Sequence, residues 1–282
     1  MISPTEDALR AAARLIGEAD ALVVAAGAGM GVDSGLPDFR GDEGLWRAYP
    51  ALARGRMGFA AIASPATFQR EPRLAWGFYG HRLDLYRRTV PHEGFALLRR
   101  WAAGRAHGTF VFTSNVDGQF QKAGFGDDGV CECHGSIHHL QCTTPCSDAI
   151  WPANGLTVRI DEDACRWLGE LPSCPACGAL ARPNILMFGD DAWIGERTDR
   201  QHERLRSWLA RTSRPVVIEL GAGTQVPSVR SFSERLVRGL GTGLIRINPR
   251  EPQVPQPTAV SLPTGALDGL RALAQELLES SP

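Results

Sequence analysis

The chain has 282 residues, room for one large domain or two modest ones, and its 43% apolar, 22% charged and 7% aromatic residues exclude a disordered polymer. Thirty basic against 31 acidic residues leave a net charge of -1, so no global field draws the chain toward nucleic acid or anionic lipid. The longest apolar stretch, Ala21 to Val32, is too short and glycine-rich to span a bilayer. The opening MISPTEDALR lacks the basic head and apolar run of a secretory signal. Seven unevenly spaced cysteines suit a reduced setting better than a disulfide scaffold, and a cytoplasmic enzyme is the expectation.

In chain order, the first element reads as a helix, with Ser3 as N-cap, Pro4 as its first residue and Glu6 as the reciprocal capping acid. Leu9, Ala12, Ala13 and Ile16 then recur at helical spacing. The apolar run Ala21–Ala26 follows, ending in Gly27-Ala28-Gly29, which is the way a nucleotide-binding α/β unit opens. Two more strands end alike: Gly108–Thr113 runs into Ser114-Asn115-Val116-Asp117, and Pro215–Leu220 into Gly221-Ala222-Gly223-Thr224. A fourth, Gly243–Asn248, precedes a proline-rich connection, and Ala266 to Leu278 closes the chain as a helix. Strands with polar or glycine-rich carboxyl ends, separated by helices, predict an α/β fold: a Rossmann-like doubly wound parallel sheet that binds ligands at those strand ends.

Two segments interrupt this pattern. Residues 42–93 carry Phe68, Leu74, Trp76, Phe78, Leu83 and Leu85 at helical spacing, and residues 137–183 are rich in Cys, Pro and Gly. Both read as insertions forming a smaller lobe, which leaves 1–41, 94–136 and 184–282 to the Rossmann-like domain. Cys142-Thr-Thr-Pro-Cys146 and Cys174-Pro-Ala-Cys177 offer four thiolates on two tight turns, the donor set of a structural zinc. The alternative for these four is burial without a ligand. Cys131, Cys133 and Cys165 read as small buried hydrophobes.

A glycine loop alone is weak evidence for a nucleotide. Here Gly27-Ala28-Gly29-Met30-Gly31 is followed by Pro37-Asp38-Phe39-Arg40-Gly41, placing an acid, an aromatic ring and a permanent cation together. This string resembles the signature of the sirtuins, NAD-dependent protein lysine deacylases. Thr113-Ser114-Asn115-Val116-Asp117-Gly118, Glu132-Cys133-His134-Gly135-Ser136 and the segment from Arg182 to Asp190 resemble later sirtuin motifs in the same order. The likeness covers about residues 5 to 280.

The resemblance implies NAD as co-substrate, and nicotinamide, O-acyl-ADP-ribose and free lysine as products. Asp117 and the backbone beside Val116 would grip the carboxamide, and Phe39 would cover the ribose face. The acyl oxygen would attack the anomeric carbon, and His134, with a pKa near neutrality, would then activate a ribose hydroxyl. Asn115 would orient the ribose or a water. Gly27, Ala28, Gly29, Asp38, Arg40, Trp46, Ser114, Gly221, Ala222, Gly223, Thr224 and Asn248 complete the implied cofactor contacts. The competing view of His134 is a structural histidine with satisfied hydrogen bonds. His138 and His139 read as incidental.

Tyr79 and Arg82, three apart on a predicted helix, share a face, and a guanidinium beside a phenol in an apolar channel is a receptor for a carboxylate. With Ala63 upstream, the pair resembles sirtuins that remove succinyl, malonyl or glutaryl groups. The alternative puts Arg82 on a solvated face with Arg87 and Arg88. The acylated protein or peptide would add a strand between Phe188-Gly189-Asp190 and the Val226–Val229 stretch. Nothing in the sequence points to nucleic acid or membrane partners.

Several positions depart from the family. Ser114 stands where Gln is usual, Gly31 where Ser is usual, Gly221-Ala222-Gly223 where Gly-Thr-Ser is usual, and Gln119-Phe120 where Leu-His is usual. Together with the Cys-x3-Cys knuckle these resemble a bacterial branch linked to macrodomain proteins, whose members are protein mono-ADP-ribosyltransferases. That branch replaces the catalytic histidine, whereas His134 is present here, which favours deacylation. A non-catalytic NAD sensor is the remaining alternative, opposed by the intact Asn115, Asp117 and His134.

Overall fold

Short apolar segments meet as one parallel sheet. The computed structural model describes residues 4–38, 41–254 and 259–279. Its strands are β1 (Ala21–Ala26), β2 (Thr109–Thr113), β3 (Val130–Glu132), β4 (Gly135–Cys142), β5 (Ile150–Pro152), β6 (Ile160–Asp161), β7 (Arg166–Trp167), β8 (Ala181–Ile185), β9 (Pro215–Leu220), β10 (Gly243–Ile247) and β11 (Ala259–Leu262). The helices are α1 (Glu6–Glu18), α2 (Gly41–Ala48), α3 (Pro50–Arg54), α4 (Phe59–Ile62), α5 (Pro65–Arg70), α6 (Pro72–Arg88), α7 (Glu93–Ala103), α8 (Gln119–Lys122), α9 (Glu196–Leu209), α10 (Ser228–Leu240) and α11 (Ala266–Glu279).

The main sheet runs β11-β10-β9-β1-β2-β3 with every pair parallel. That is the doubly wound dinucleotide order, with its switch point between β1 and β9. Every residue of β1 is buried, as a central parallel strand requires. Leu22, Val24 and Ala26 pack with Ile16, Leu98, Leu270 and Leu273 on one face. Ala21, Val23 and Ala25 pack with Leu205, Trp208, Val229 and Val237 on the other.

A separate core joins the two insertions. Leu45, Leu52, Phe68, Trp76, Phe78 and Leu83 pack with Ile137, Leu140, Trp167, Ile185 and Met187. The Trp76 indole donates to the Ala181 carbonyl at 2.9 Å, tying α6 to β8. β4 pairs antiparallel with β5 and β8.

Several expectations need correction. Thr5, not Ser3, caps α1, accepting from the Ala8 N–H at 3.3 Å, and the helix begins at Glu6. Ser3, Phe39 and Arg40 lie outside the described residues. β3 and β11 have no counterpart among the predicted strands because each is short and carries polar residues. Val226–Val229 is not an extended stretch, since α10 begins at Ser228. Among the described residues no helix is long and apolar enough to cross a membrane.

At the switch point the two glycine loops touch backbone to backbone. The Gly27 N–H donates to the Leu220 carbonyl at 2.9 Å, and the Gly29 N–H to the Gly221 carbonyl at 3.1 Å. A Cβ on Gly29 would sit 2.6 Å from the Gly221 Cα, and Gly221 itself has φ +57°. These glycines are thus needed for the loops to pack on each other, a role beyond the close ligand approach read from sequence. Gly29→Ala is expected to cost about 1–3 kcal/mol in urea unfolding. Gly17→Ala, where a Cβ meets nothing within 4 Å, should instead stabilise α1 by about 0.5–1 kcal/mol.

Candidate functional site

The carboxyl ends of the parallel strands form one rim. After β1 a 3-10 turn, Ala28–Ser34, ends at Gly35 with φ 84°. The His92 backbone N–H donates to Ser34 Oγ at 2.9 Å and its ring bonds the Met30 carbonyl at 2.9 Å, anchoring that turn to the start of α7. After β2, Thr113 Oγ1 donates to the Ala26 carbonyl at 2.8 Å and accepts from the Asn115 N–H at 3.0 Å. Asn115 Nδ2 then donates to the Gly27 carbonyl at 3.0 Å, so this side chain clamps the β1 loop to the β2 loop.

His134 lies between β3 and β4. Its Nε2 and Ser228 Oγ share a hydrogen bond of 2.9 Å, so the ring points across the rim to the start of α10. Its carbonyl accepts from the Leu186 N–H at 3.0 Å. Burial lowers its pKa below the ordinary 6.5, keeping the imidazole neutral. The next residue must be glycine: Gly135 has φ +77°, and a Cβ there would lie 2.1 Å from the Asn184 carbonyl oxygen.

Asp117 is 8% exposed. Burial, offset in part by the Gln119 N–H that donates to its Oδ1 at 2.9 Å, pushes its carboxyl up to about 6. The Val116 carbonyl accepts from the Ile137 N–H at 3.0 Å. Ser114 is half-buried, and its N–H donates to the Ala26 carbonyl at 3.2 Å. Two departures from the family pattern find physical reasons. A Cβ on Gly31 would press on the Leu36 side chain at 3.1 Å, and the buried Gln119 amide donates to the Tyr86 carbonyl at 3.0 Å.

Arg82 is not on a solvated face. It is 8% exposed, its Nε donates to the Tyr86 hydroxyl at 2.9 Å, and its guanidinium stands 5.2, 5.6 and 5.5 Å from the Phe78, Tyr79 and Tyr86 ring centroids. Tyr79 stacks on Phe68 at 5.6 Å. Tyr49, in the same core, bonds His81 Nδ1 at 2.8 Å, and Arg82 lies near enough to act on its phenol. All three tyrosines of the chain therefore surround Arg82. Arg87 and Arg88 go elsewhere, to the Ala153 and Leu156 carbonyls and to Asp84. Phe188, 45% exposed, donates its N–H to the Ala63 carbonyl at 3.0 Å. Gly189 (φ +64°) and Val226 are exposed beyond it.

Other predicted residues have different work. Trp46 donates to the Met57 carbonyl at 2.9 Å inside the helical lobe. Asn248 is fully buried; its Nδ2 donates to the Ala222 carbonyl at 2.8 Å and its Oδ1 accepts from Arg250 and Glu251. Asp190 forms a bidentate pair with Arg182 at 2.7 and 2.8 Å, with both side chains out of solvent. Its carboxylate is spent there, which leaves only its backbone for a substrate. Asp38 and Gly223 are half-buried and Ala28 is exposed. The Thr224 hydroxyl and N–H donate to Glu251 at 2.6 and 3.1 Å. Ser228, Glu251 and Tyr86 were missed in the sequence. Only Tyr86, four residues after Arg82 on one helix, carried a local signal.

The four knuckle cysteines converge, with Sγ atoms all within 4.8 Å of one another and pairs at 3.8 Å (Cys142–Cys177) and 3.7 Å (Cys146–Cys174). A tetrahedron with zinc–sulfur bonds of about 2.3 Å has edges of about 3.8 Å, so the donors fit zinc. Cys131 and Cys165 are buried and Cys133 half-buried, as expected of apolar packing.

Parallel strands in this order, interlocked glycine loops and a histidine at the rim define a dinucleotide-binding α/β enzyme. The Sir2 family model matches residues 27–222, and the chain belongs to that family. An NAD-dependent protein deacylase of Thermus thermophilus is 30% identical over 273 residues, covering 94% of this chain and 93% of that one. One of Pyrococcus furiosus is 30% identical over 240 residues, 83% of this chain and 84% of that one. NAD-dependent protein deacylase 1 of Pseudomonas aeruginosa reaches 36% over 186 residues, 64% of this chain and 67% of that one. Among solved structures, a serine-to-alanine mutant of a Sir2 homologue with ADP-ribose superposes with a TM-score of 0.69 at 25% identity, covering 98% and 97% of the two chains.

Metal analysis of the purified chain should find one zinc per chain. A double variant Cys174→Ser with Cys177→Ser should lose it and melt at lower temperature, since structural zinc contributes directly to folding.

Proposed function

We propose that this chain is an NAD-dependent protein lysine deacylase that transfers the acyl group of an acylated lysine to ADP-ribose and releases nicotinamide and free lysine. One observation carries the reading. His134 bonds through its backbone to Leu186, and two residues on Phe188 bonds to Ala63, so a neutral base and the Ala63 end of the helical lobe lie on one continuous strip. The NAD-binding domain comprises 1–41, 94–136 and 184–282, and the small helical and zinc-binding domain 42–93 and 137–183, two of the four junctions falling inside β4 and β8.

In this mechanism Asp117 accepts a hydrogen bond from the nicotinamide carboxamide in a buried, low-dielectric wall. Asn115, held against Gly27, fixes the ribose side of the cleft. His134 takes the proton of a ribose hydroxyl. Its Nε2 already meets the hydroxyl of Ser228, so a substrate hydroxyl replaces a hydroxyl and the ring needs no new partner chemistry. The interlocked loops after β1 and β9 present their free edge to the pyrophosphate. The cysteine set would hold a zinc that keeps the small lobe folded and takes no part in the reaction.

Arg82 supports a finer reading: the acyl group carries its own carboxylate, as in succinyl- or malonyl-lysine. A permanent cation among aromatic rings, next to the Tyr79 phenol, binds such a group by charge-assisted hydrogen bonds that an acetyl group does not offer. The relatives' names and the retained His134 give no preference to ADP-ribosyl transfer.

His134→Ala should lower deacylation at least about a hundredfold while NAD binding persists, measured by product mass spectrometry and calorimetry. Because burial holds His134 below 6.5, and a base works only when neutral, kcat/KM should rise with pH through a midpoint below 6.5. Arg82→Met should cut kcat/KM for succinyl-lysine peptide about ten- to a hundredfold. Acetyl-lysine turnover should change far less, and an equal loss on both substrates would refute the acidic-acyl reading.

A further inference from the structure

Arg82 is wrapped by the helix that carries it. Phe78, Tyr79 and Tyr86 sit at helical spacing around it on α6, with ring centroids 5.2, 5.6 and 5.5 Å from the guanidinium. Ring faces attract a cation with little demand on its rotation, whereas a hydrogen bond fixes a direction. That bond runs from Arg82 Nε to the Tyr86 hydroxyl at 2.9 Å, and Tyr86 is 4% exposed.

The bond decides which edge of the guanidinium can meet a carboxylate. The planar fork offers two edges for a bidentate contact, one made by Nε with a terminal nitrogen and one by the two terminal nitrogens. With Nε committed to Tyr86, a two-point contact is confined to the Nη1–Nη2 edge. Tyr86 thus sets the direction from which a carboxylate must approach.

Tyr86 is itself held from outside its helix. Its carbonyl accepts from Gln119 Nε2 at 3.0 Å, and Lys122 Nζ donates to the Arg87 and Thr89 carbonyls just beyond. Carbonyls in the last turn of a helix have no partner further along it, so α8 supplies partners there. The Gln119 N–H in turn donates to Asp117 Oδ1 at 2.9 Å. A phenol on a fraying helix end would be a loose anchor, but this one is tied to the loop after β2. Gln119 is one of the departures from the family pattern, and here it braces the residue that orients Arg82.

We propose that Tyr86 is a positioning residue for acyl-group selection: its hydroxyl turns the terminal nitrogens of Arg82 toward the carboxylate of the acyl chain, and Gln119 keeps it in place. The proposal rests on the reading above in which Arg82 receives that carboxylate.

Steady-state kinetics of the full chain on succinyl- and acetyl-lysine peptides, at saturating NAD, test it. Tyr86→Phe keeps the ring and removes the hydroxyl. It should raise KM for the succinyl peptide about three- to tenfold, hold kcat within about twofold, and change acetyl turnover far less. Because Tyr86 acts through Arg82, adding Tyr86→Phe to Arg82→Met should leave the succinyl-to-acetyl ratio of kcat/KM where Arg82→Met alone puts it. A further fall in that ratio would mean that Tyr86 touches the acyl group itself, and an unchanged succinyl KM in Tyr86→Phe would mean that the bond positions nothing. Either result overturns the proposal. If Tyr86→Phe also loses acetyl turnover, Arg82→Met with and without Tyr86→Phe decides, because neither chain keeps an unmatched Nε: equal ratios support the proposal and unequal ones overturn it. The acidic-acyl reading fails by a different result, equal loss on both substrates in Arg82→Met alone, which would remove this proposal with it.

Discussion

Two loop backbones in van der Waals contact set the geometry from which the rest of the site is hung. The turn after β1 and the turn after β9 meet where the sheet reverses its winding, and side chains on Gly27, Gly29 or Gly221 would drive them apart. Because β1 and β9 are neighbours in register from Ala21↔Pro215 to Ala26↔Leu220, the spacing of the loops follows from the strand spacing and leaves no slack. Asn115 then binds the β1 turn to the β2 loop, and Asn248 binds the β9 turn to the segment after β10. Four strand ends are thereby locked into one rim by hydrogen bonds to backbone carbonyls. Strand ends tied together in this way suit the positioning of a dinucleotide.

Buried charge separates structural from functional groups in this molecule. Arg182 and Asp190 satisfy each other in a bidentate pair, and Arg246 bonds Glu219 through two nitrogens. Such closed pairs hold the fold in one arrangement and are unavailable for ligands. Arg82 is solvated differently, by a hydroxyl and three ring faces. In the function proposed above, this arginine would select the acyl group.

The sheet was legible because parallel strands advertise themselves: β1 and β9 are unbroken apolar runs ending in glycine, a pattern that only a doubly buried strand needs. β3, with Glu132 at its end, lacked that signature because it is an edge strand three residues long, completed by α9 through Gln201 and Thr198. His134 and the cysteine pairs could be read from local spacing alone. Asn248 and Asp190 were assigned to ligands because a polar residue in a motif looks the same whether it faces a cleft or a carbonyl. Only the tertiary structure tells the two apart. Ser228 and Glu251 were invisible for the converse reason, since their partners lie 94 and 27 residues away.

The knuckle and the histidine are mechanically one object. β4 begins at Gly135, beside His134, and ends at Cys142, a knuckle ligand, spanning about 25 Å at strand rise. β8 runs back from Ala181, paired with Cys142, to Ile185, paired with Gly135, and the next residue bonds His134. The register shifts between Ser136 and Leu140, so the ladder is interrupted at its middle and is pinned mainly at its ends. The metal-binding end holds the two strands together through Thr143 and Leu180 as well as through the cysteines. Releasing that end would remove one of the ties on the strand that follows His134, leaving those to β5 and to Val116. In the mechanism proposed above, His134 would then sample more orientations against a ribose hydroxyl that must lie within hydrogen-bond reach. A metal held there, without touching the chemistry, would bear on the rate only through position, by limiting how far one imidazole can wander.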